Sequence, residues 1–370
     1  MKIFLWILRL VVGGLFIFSG LIKANDPLGL SYKMDEFFEV WGWHFFRSWS
    51  LGLSIVMIAF EIIAGVALLI GYAQKFFAPL LLALIAFFTF LTAYVLFSGK
   101  IKECGCFGDC IKISNTETFW KDVALLVMAV ILYVYRNRIR PLVRPPYGAV
   151  IMILTTFFSF GVQVWALEHL PFHDCLPYKK GVNLFEGTKP PPGSTPDVYE
   201  TVLIYEKDGV KKEFDETNFP WEDSTWTYVD TKTKLIKEGN ATPPIKDFSF
   251  TDADGGDHTE EVLTAKGYNL LWLVRDVQKA RKDQLDRLKA LAADVRKSGG
   301  GVYMLSSSTK AETNAFVAAN NLQAFDVLYV DGTASKTAMR SNPGLIVLKD
   351  GVVMGKYSFR DYPANLSEVK

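Results

Sequence analysis

Long apolar runs separated by short polar segments fill the first 169 residues of the chain. Five windows are almost entirely apolar: Ile3–Ile22, Leu51–Ile70, Phe76–Phe97, Phe119–Tyr135 and Ala149–Leu167. A helix of about 20 mostly apolar residues is long enough to cross a bilayer. The pattern therefore predicts five transmembrane helices. The first window is longer than the apolar part of a secretory signal and no A-x-A cleavage site follows it, so we expect it to be retained as a span.

The second half of the chain shows the patterns of strands and amphipathic helices. Val198–Asp215 predicts two strands joined by a turn at an Asp-Gly pair. Further along, the apolar run Leu270–Val274 predicts a central strand, and the charged stretch Gln278–Lys297, which ends before a run of glycines, predicts a helix. Strands and helices alternate until a closing hairpin, which predicts an α/β fold for residues 243–370.

The charge of the chain is balanced as a whole but unevenly placed. There are 40 Lys and Arg against 39 Asp and Glu, and half of the 370 residues are hydrophobic. This excludes a nucleic-acid binder that works through excess basic charge, and it excludes a disordered chain. Residues 1–169 hold 14 basic and 10 acidic residues, whereas residues 170–370 hold 26 and 29. We interpret this as a membrane domain followed by a soluble domain.

The basic residues beside the spans predict an orientation. Arg136–Arg144 contains four arginines and no acidic residue, which is typical of a cytoplasmic loop. Placing it inside puts the N-terminus in the cytoplasm and everything after residue 169 outside. The two loops that then lie outside hold six Lys or Arg, but these are mixed with acidic residues.

Two motifs in the membrane half resemble known families. Phe18–Glu39, FSGLIKANDPLGLSYKMDEFFE, resembles the DoxX family of membrane proteins, and Glu103–Cys110, ECGCFGDC, resembles the cysteine loop of the related MauE-type proteins. The resemblance covers residues 1–136 and implies a four-helix membrane bundle in the bacterial inner membrane. Residues 137–169, the arginine-rich loop and fifth span, extend beyond that pattern as a tether. MauE-type proteins are linked to disulfide formation in a periplasmic enzyme, which implies a redox role.

The four cysteines, Cys104, Cys106, Cys110 and Cys175, all lie outside the predicted spans. Four cysteines allow three pairings, and the spacing does not choose between them. Three interpretations stay open: structural disulfides that pin the loop, a redox relay that exchanges with a partner, and a four-thiolate metal site. The C-x-C-x₃-C spacing is not that of a zinc knuckle and the loop has no histidine, so we expect no metal.

Glu61 is a carboxylate in the middle of the second span. Because a charge in a bilayer is costly, such a residue faces a protein interior, a partner or a transport path. Two interpretations remain: a hydrogen bond between helices, or a proton or quinone contact.

The C-terminal part resembles the thioredoxin-like fold of TlpA-type periplasmic proteins, through DFSFTDADG after residue 246 and the segment NPGLIVL before the last hairpin. The resemblance covers residues 243–370, behind a linker and small β region at 170–242. It places Pro343 at the family's cis-proline, which lines the substrate groove. The family's C-x-x-C should follow the central strand, but this chain has Arg275 and Asp276 there. Without a thiolate there is no nucleophile for disulfide exchange.

Two functions follow as hypotheses. In the first, an inner-membrane protein with no cofactor presents a redox-inactive thioredoxin-like domain that binds membrane or periplasmic proteins in an export, folding or maturation complex, with Pro343, Arg275 and Asp276 as the binding surface. In the second, Cys104, Cys106 and Cys110 pass electrons between a membrane quinone and a periplasmic substrate. Besides proteins, the expected partner is the lipid bilayer, and no nucleic acid is expected.

Overall fold

A computed structural model describes residues 2–101, 103, 105, 108–111, 113–215, 218–221, 223–237 and 239–369. Its N-terminal half is helical, with α1 (Lys2–Asn25), α2 (Pro27–Val40), α3 (Ser50–Ile70), α4 (Gln74–Ser98), α5 (Asn115–Val134) and α6 (Pro145–His169). Within the described ranges, four stretches of helix are long and apolar enough to cross a membrane: Ile3–Asn25, His44–Ile70, Gln74–Ser98 and Pro145–His169. A membrane helical bundle is therefore confirmed for this half.

The helix α5 covers the predicted span at Phe119–Tyr135 but is not among those four. Its first turns carry Glu117, Lys121 and Asp122, which lower its apolar content. The helix begins with a capping box, in which the Ser114 hydroxyl accepts from the Glu117 amide and the Glu117 carboxylate accepts from the Ser114 amide. It packs against α4 over much of its length.

One buried arginine joins three parts of the bundle at the end where α1 begins. Arg9 Nε donates to the Leu68 carbonyl at 3.1 Å and Nη2 donates to the Leu69 carbonyl at 2.6 Å, which satisfies the last turn of α3. Its Nη1 lies 3.5 Å from the Arg140 carbonyl in the loop between α5 and α6. The start of α1, the end of α3 and this loop therefore lie on one side of the bundle.

The C-terminal half contains two sheets. Its elements are α7 (Leu184–Gly187), β1 (Val198–Lys207), β2 (Val210–Asp215), β3 (Thr227–Lys237), α8 (Thr259–Thr264), β4 (Tyr268–Val274), α9 (Leu285–Lys297), β5 (Val302–Ser306), α10 (Lys310–Ala319), β6 (Asp326–Tyr329), α11 (Gly332–Ala338), β7 (Gly344–Lys349) and β8 (Val352–Ser358). The first sheet is antiparallel in the order β2-β1-β3. The second has the order β6-β5-β4-β7-β8, in which β4, β5 and β6 are parallel and β7 and β8 are antiparallel.

The five-stranded sheet is covered on both faces, which explains the continuous apolar run of its central strand. Leu271 and Leu273 of β4 face one core with α8 and α11. Leu270, Trp272 and Val274, which alternate with them along the strand, face another core with α9 and α10. The first core also takes in Leu176 and Leu184, which are buried although they precede the predicted start of the domain at residue 243. Part of the segment after α6 thus belongs to the α/β core.

The predicted helix at Gln278–Lys297 begins later in the structure, at Leu285. The chain first makes a turn in which Asp276 Oδ1 accepts from the amides of Gln278 and Lys279, at 3.0 and 3.3 Å. An aspartate that accepts from amides two and three residues on favours a turn over a continuing helix. This turn occupies the end of the central strand.

Candidate functional site

The Asn-Asp-Pro motif starts α2 and forms one side of an interface between the bundle and the α/β domain. Asp26 is the N-cap and its side chain accepts from the Gly29 amide at 3.0 Å, while Pro27 occupies the first turn, where its missing N–H costs nothing. A Cβ at Gly29 would lie 2.8 Å from Asp26 Oδ2. The glycine therefore leaves the carboxylate room to turn toward the α/β domain.

Arg340 enters this interface from the end of α11 and is 6% exposed. Its Nε donates to Asp26 Oδ2 at 2.7 Å and its Nη2 donates to Asp109 Oδ2 at 2.6 Å. Its Nη1 donates to the Lys336 carbonyl. One guanidinium thus joins the start of α2, the cysteine loop between α4 and α5, and the α/β domain. Hydrogen bonds of this kind, between charged groups, are stronger than neutral ones.

Tyr32 of α2 contacts three cationic side chains of the α/β domain. Arg275 Nη1 donates to the Tyr32 hydroxyl oxygen at 2.7 Å. The charged groups of Lys336 and Arg340 lie 5.4 and 5.3 Å from the centre of its ring, within the range of a cation–π contact. Burial raises the pKa of the Tyr32 hydroxyl, with Arg275 and Arg340 acting in the opposite direction. The side chain is therefore a neutral hydrogen-bond acceptor at ordinary pH.

Of the three residues predicted to form a binding surface, Arg275 reaches α2, whereas Asp276 and Pro343 adjoin Asn342. Arg275 and Asp276 follow β4, and the amide of Asp276 donates to Asn342 Oδ1 at 3.2 Å while Asn342 Nδ2 donates back to the Asp276 carbonyl at 2.9 Å. The peptide bond from Asn342 to Pro343 is cis, and Pro343 is buried. The surface around these residues contacts α2 and its N-cap through Arg275 and Arg340. Their binding role stays a prediction, and a partner would meet this face only where α2 leaves it open.

A disulfide next to these ion pairs joins the loop between α4 and α5 to the segment after α6. Cys110 of the loop between α4 and α5 is bonded to Cys175 in the segment after α6. In that segment, the His173 backbone exchanges two hydrogen bonds with the Asn25 side chain, at 2.8 and 2.9 Å. Asp174 accepts from the ammonium of Lys356 at 2.6 Å. Burial lowers the pKa of Lys356, and Asp174 opposes this.

Cys104 and Cys106 lie outside the described residues. Gly105 between them is described, and a Cβ built on it would lie 3.0 Å from Cγ of Lys33 on α2. Because Cys110 and Cys175 are bonded to each other, neither is a thiolate ligand for a metal in this structure. No group of three or more metal-ligating side chains occurs in the part of the chain that the structure describes.

Glu61 pairs with Lys23 inside the bundle. The Lys23 ammonium lies 2.6 Å from Glu61 Oε1, and the two side chains are 3% and 1% exposed. The pair links α1 to α3, which fits the interpretation of a contact between helices. Lys23 also lies 4.6 Å from the centre of the Phe88 ring. An apolar cleft of about 50 Å³ lies beside it, and Gly105 contributes to its lining.

Sequence reasoning missed the residues that make the interface. Asp26 and Tyr32 lie within the motif at Phe18–Glu39, but the sequence gives no sign of what they bind. Arg340 contacts residues 314 and 231 positions away, and periodicity reports only on neighbours in sequence. Its position three residues before Pro343 is the one signal in the sequence that points to Arg340.

Comparison with known proteins supports the expectation that the N-terminal helices form a MauE-like membrane region. The family model described as Methylamine utilisation protein MauE matches residues 1–135, and a domain of unknown function, DUF8463, matches residues 199–238. The chain is 24% identical over 129 residues to Protein TlpB of Flavobacterium psychrophilum, which covers 34% of this chain and 35% of that protein. The chain thus spans about a third of the length of that curated relative. No solved structure matches. Residues 1–135 therefore form a MauE-like membrane region, joined to an α/β region that is distinct from it.

Proposed function

We propose that this chain is a bacterial inner-membrane protein whose C-terminal domain is thioredoxin-like but redox-inactive, and that it serves as a non-catalytic, partner-binding component of a complex that exports, folds or matures envelope proteins. The observation that carries this proposal is the identity of the residues after the central strand. Arg275 and Asp276 stand there and bind Tyr32 and Asn342. A thiol exchange reaction needs a cysteine at this place.

The strand order of the five-stranded sheet supports the thioredoxin-like assignment. The connectivity supports the expected orientation, because Arg9 ties the start of α1 to the arginine-rich loop, whereas Arg340 and the disulfide tie the α/β domain to the opposite end of the bundle. With that loop in the cytoplasm, the α/β domain lies in the periplasm.

The small three-stranded sheet is the surface that we assign to partners. Its strands carry the exposed aromatic side chains Tyr199 and Tyr228, at 55% and 54% exposure, and the segment between β2 and β3 adds Trp221 at 73%. Aromatic residues are enriched in protein interfaces. The face near Pro343, in contrast, is turned toward α2, so we place partner binding on the sheet and not in the groove of the first hypothesis.

Photo-crosslinking in cells tests this assignment. A photoreactive residue at position 221 should give adducts with other envelope proteins, and one at position 275 should give adducts within the chain. Partner adducts from position 275, with none from position 221, would return the binding surface to the groove beside Pro343.

A second function rests on the cysteine pairing. The bond between Cys110 and Cys175 leaves Cys104 and Cys106, which flank a glycine at the edge of an apolar cleft. In this proposal a substrate dithiol reduces a Cys104–Cys106 disulfide: the substrate disulfide forms, the loop disulfide breaks, and two thiols result. The loop thiols then give two electrons and two protons to a membrane quinone, so that the Cys104–Cys106 disulfide forms again and the quinone becomes the hydroquinone.

Alkylation of the thiols in cells distinguishes the two functions. In the redox function, the loop cysteines shift from the oxidised to the reduced form when quinone is depleted. In Cys104→Ser or Cys106→Ser, the remaining thiol attacks the disulfide of an oxidised substrate, releases one substrate thiol and stays bound as a mixed disulfide. Cys110→Ser/Cys175→Ser serves as the control, because those residues form the structural bond. Unimpaired envelope disulfide formation in Cys104→Ser/Cys106→Ser would eliminate the redox function.

A further inference from the structure

A cavity of about 500 Å³ opens at the end of the bundle opposite the α/β domain. It is lined by Leu5, Trp6, Arg9, Asn137, Arg138, Ile139 and Arg140. Leu5, Trp6 and Arg9 come from the start of α1, and the remaining four residues come from the loop before α6. The volume is that of a small-molecule site, and three of the seven lining residues are arginines.

The charge at this end of the bundle is uncompensated. The segments 1–10, 70–78 and 134–148 hold seven Lys or Arg and no Asp or Glu. Among the ion pairs of the described residues, none involves Arg9, Arg138 or Arg140. Basic residues at a membrane surface attract anions, and basic pockets between membrane helices suit lipid headgroups.

Arg9 is the best placed of these cations. It is 3% exposed, and its guanidinium is fixed by the carbonyls of Leu68, Leu69 and Arg140. These three bonds use three of the five N–H donors of an arginine, so two remain. The guanidinium also lies 4.5 Å from the centre of the Trp6 ring. It is thus a buried, oriented charge at the wall of a cavity, with donors to spare.

The surroundings favour a lipid over a free anion. Side chains beside the cavity on α1 and the loop are apolar and exposed, with Ile3, Ile7 and Leu142 at 78%, 53% and 53%. In a bilayer these side chains contact acyl chains. Tryptophan is enriched at the depth of the headgroups, which places Trp6 and the cavity at that depth.

We propose that this cavity binds an anionic phospholipid, with the phosphate held by Arg9, Arg138 and Arg140 and the acyl chains lying against the exposed apolar side chains of α1 and the loop. The negative phosphate of the bound lipid neutralises the positive charge of these arginines, a role that carboxylates have in the ion pairs at the other end of the bundle. It also joins the first helix to the loop before α6, because the phosphate contacts both.

Lipid titration of the intact protein in detergent, followed by native mass spectrometry, tests this proposal. Phosphatidylglycerol and phosphatidylcholine are compared, and inorganic phosphate is the third probe. The variant Arg138→Gln/Arg140→Gln removes two cavity charges and keeps Arg9, on which the helix packing depends. The matched control is Lys75→Gln/Arg144→Gln, which removes the same charge from exposed positions on the same side but outside the cavity lining.

We expect the wild-type chain to prefer phosphatidylglycerol, the cavity variant to bind it about twentyfold more weakly, and the control to change by less than about threefold. Equal binding of the two lipids would overturn the proposal. Equal weakening in both variants would also overturn it, because that would mean a bulk charge effect. If inorganic phosphate displaced phosphatidylglycerol at the same concentration at which the lipid itself binds, the proposal would be overturned in favour of a site for a free anion.

Discussion

Arg340 and Asp109 are 231 residues apart in sequence, and Nη2 of Arg340 lies 2.6 Å from Oδ2 of Asp109. The same guanidinium binds Asp26 at the start of α2. The loop that carries three of the four cysteines is thereby fixed to the α/β domain by an ion pair as well as by the disulfide next to it. The two halves of the chain are therefore joined through specific charges, not only through a tether.

Replacement of Arg340 should loosen this junction. In Arg340→Gln, Asp26 and Asp109 lose the cation that they share. Because these carboxylates are 16% and 37% exposed, the loss should cost about 2 kcal/mol of unfolding free energy, less than the cost for a fully buried pair. Amide exchange in residues 26–32 should rise, and the unfolding temperature in detergent should fall. The control is Arg360→Gln, whose partner Glu168 is 30% exposed, so that it should cost less than about 1 kcal/mol. Equal effects of the two variants would show that Arg340 has no special role.

The disulfide should stabilise the intact protein. It closes a sequence separation of 65 residues, and a native disulfide of this kind contributes about 2–4 kcal/mol. Cys110→Ser/Cys175→Ser should unfold at a lower temperature, and reductant should not lower it further. Cys104→Ser/Cys106→Ser should keep the wild-type temperature and remain sensitive to reductant. A linked peptide that joins Cys104 or Cys106 to Cys175 would contradict the pairing.

The pair of Lys23 and Glu61 should be coupled energetically. Because both side chains are buried, either single change leaves a charge whose partner is gone, at a cost of about 3–5 kcal/mol. Lys23→Met/Glu61→Leu removes both charges and should be more stable than either single variant. The unfolding midpoints of the four proteins measure the coupling. Additive effects would show that the two residues act independently.

His258 predicts a pH dependence in the α/β domain. Hydrogen bonds to Glu261 and then Asp252 raise the pKa of His258, and several hydrogen bonds lower the pKa of Asp252 to about 2. Because the folded pKa of His258 exceeds the unfolded value near 6.5, its stabilising contribution is complete below about pH 6.5 and is lost as pH rises through the raised pKa. The stability difference between wild type and His258→Gln should therefore be larger at pH 5.5 than at pH 8.5. A constant difference would contradict the raised pKa.

Apolar length and alternation predicted the separate parts of this fold. The predicted windows all form helices, and the hairpin at Val198–Asp215 forms as β1 and β2. These signals are local, and local hydrophobic periodicity reports the face that an element buries. The start of α9 was predicted too early because the propensity of residues 278–284 favours a helix, whereas Asp276 holds the chain in a turn.

The arrangement of the two halves could not be predicted in the same way. The pairing of Cys110 with Cys175 was one of three possibilities, and it depends on where α6 ends relative to the loop after α4. The contact of Arg275 with Tyr32 joins residues 243 positions apart. Such contacts depend on how distant elements pack together, and this packing produces no periodic pattern of residues in the sequence.

A cross-link between Tyr32 and Arg275 tests the central claim most directly, namely that the end of β4 is docked on α2. Tyr32→Cys/Arg275→Cys is prepared in a Cys104→Ser/Cys106→Ser background and treated in native membranes with a short bis-maleimide. We predict rapid cross-linking within the chain, and none for the control Tyr32→Cys/Arg296→Cys, because Arg296 pairs with Asp326 elsewhere in the α/β domain. Cross-linking of the 32–275 pair no faster than the control would contradict the docked arrangement and, with it, the assignment of partner binding to the three-stranded sheet.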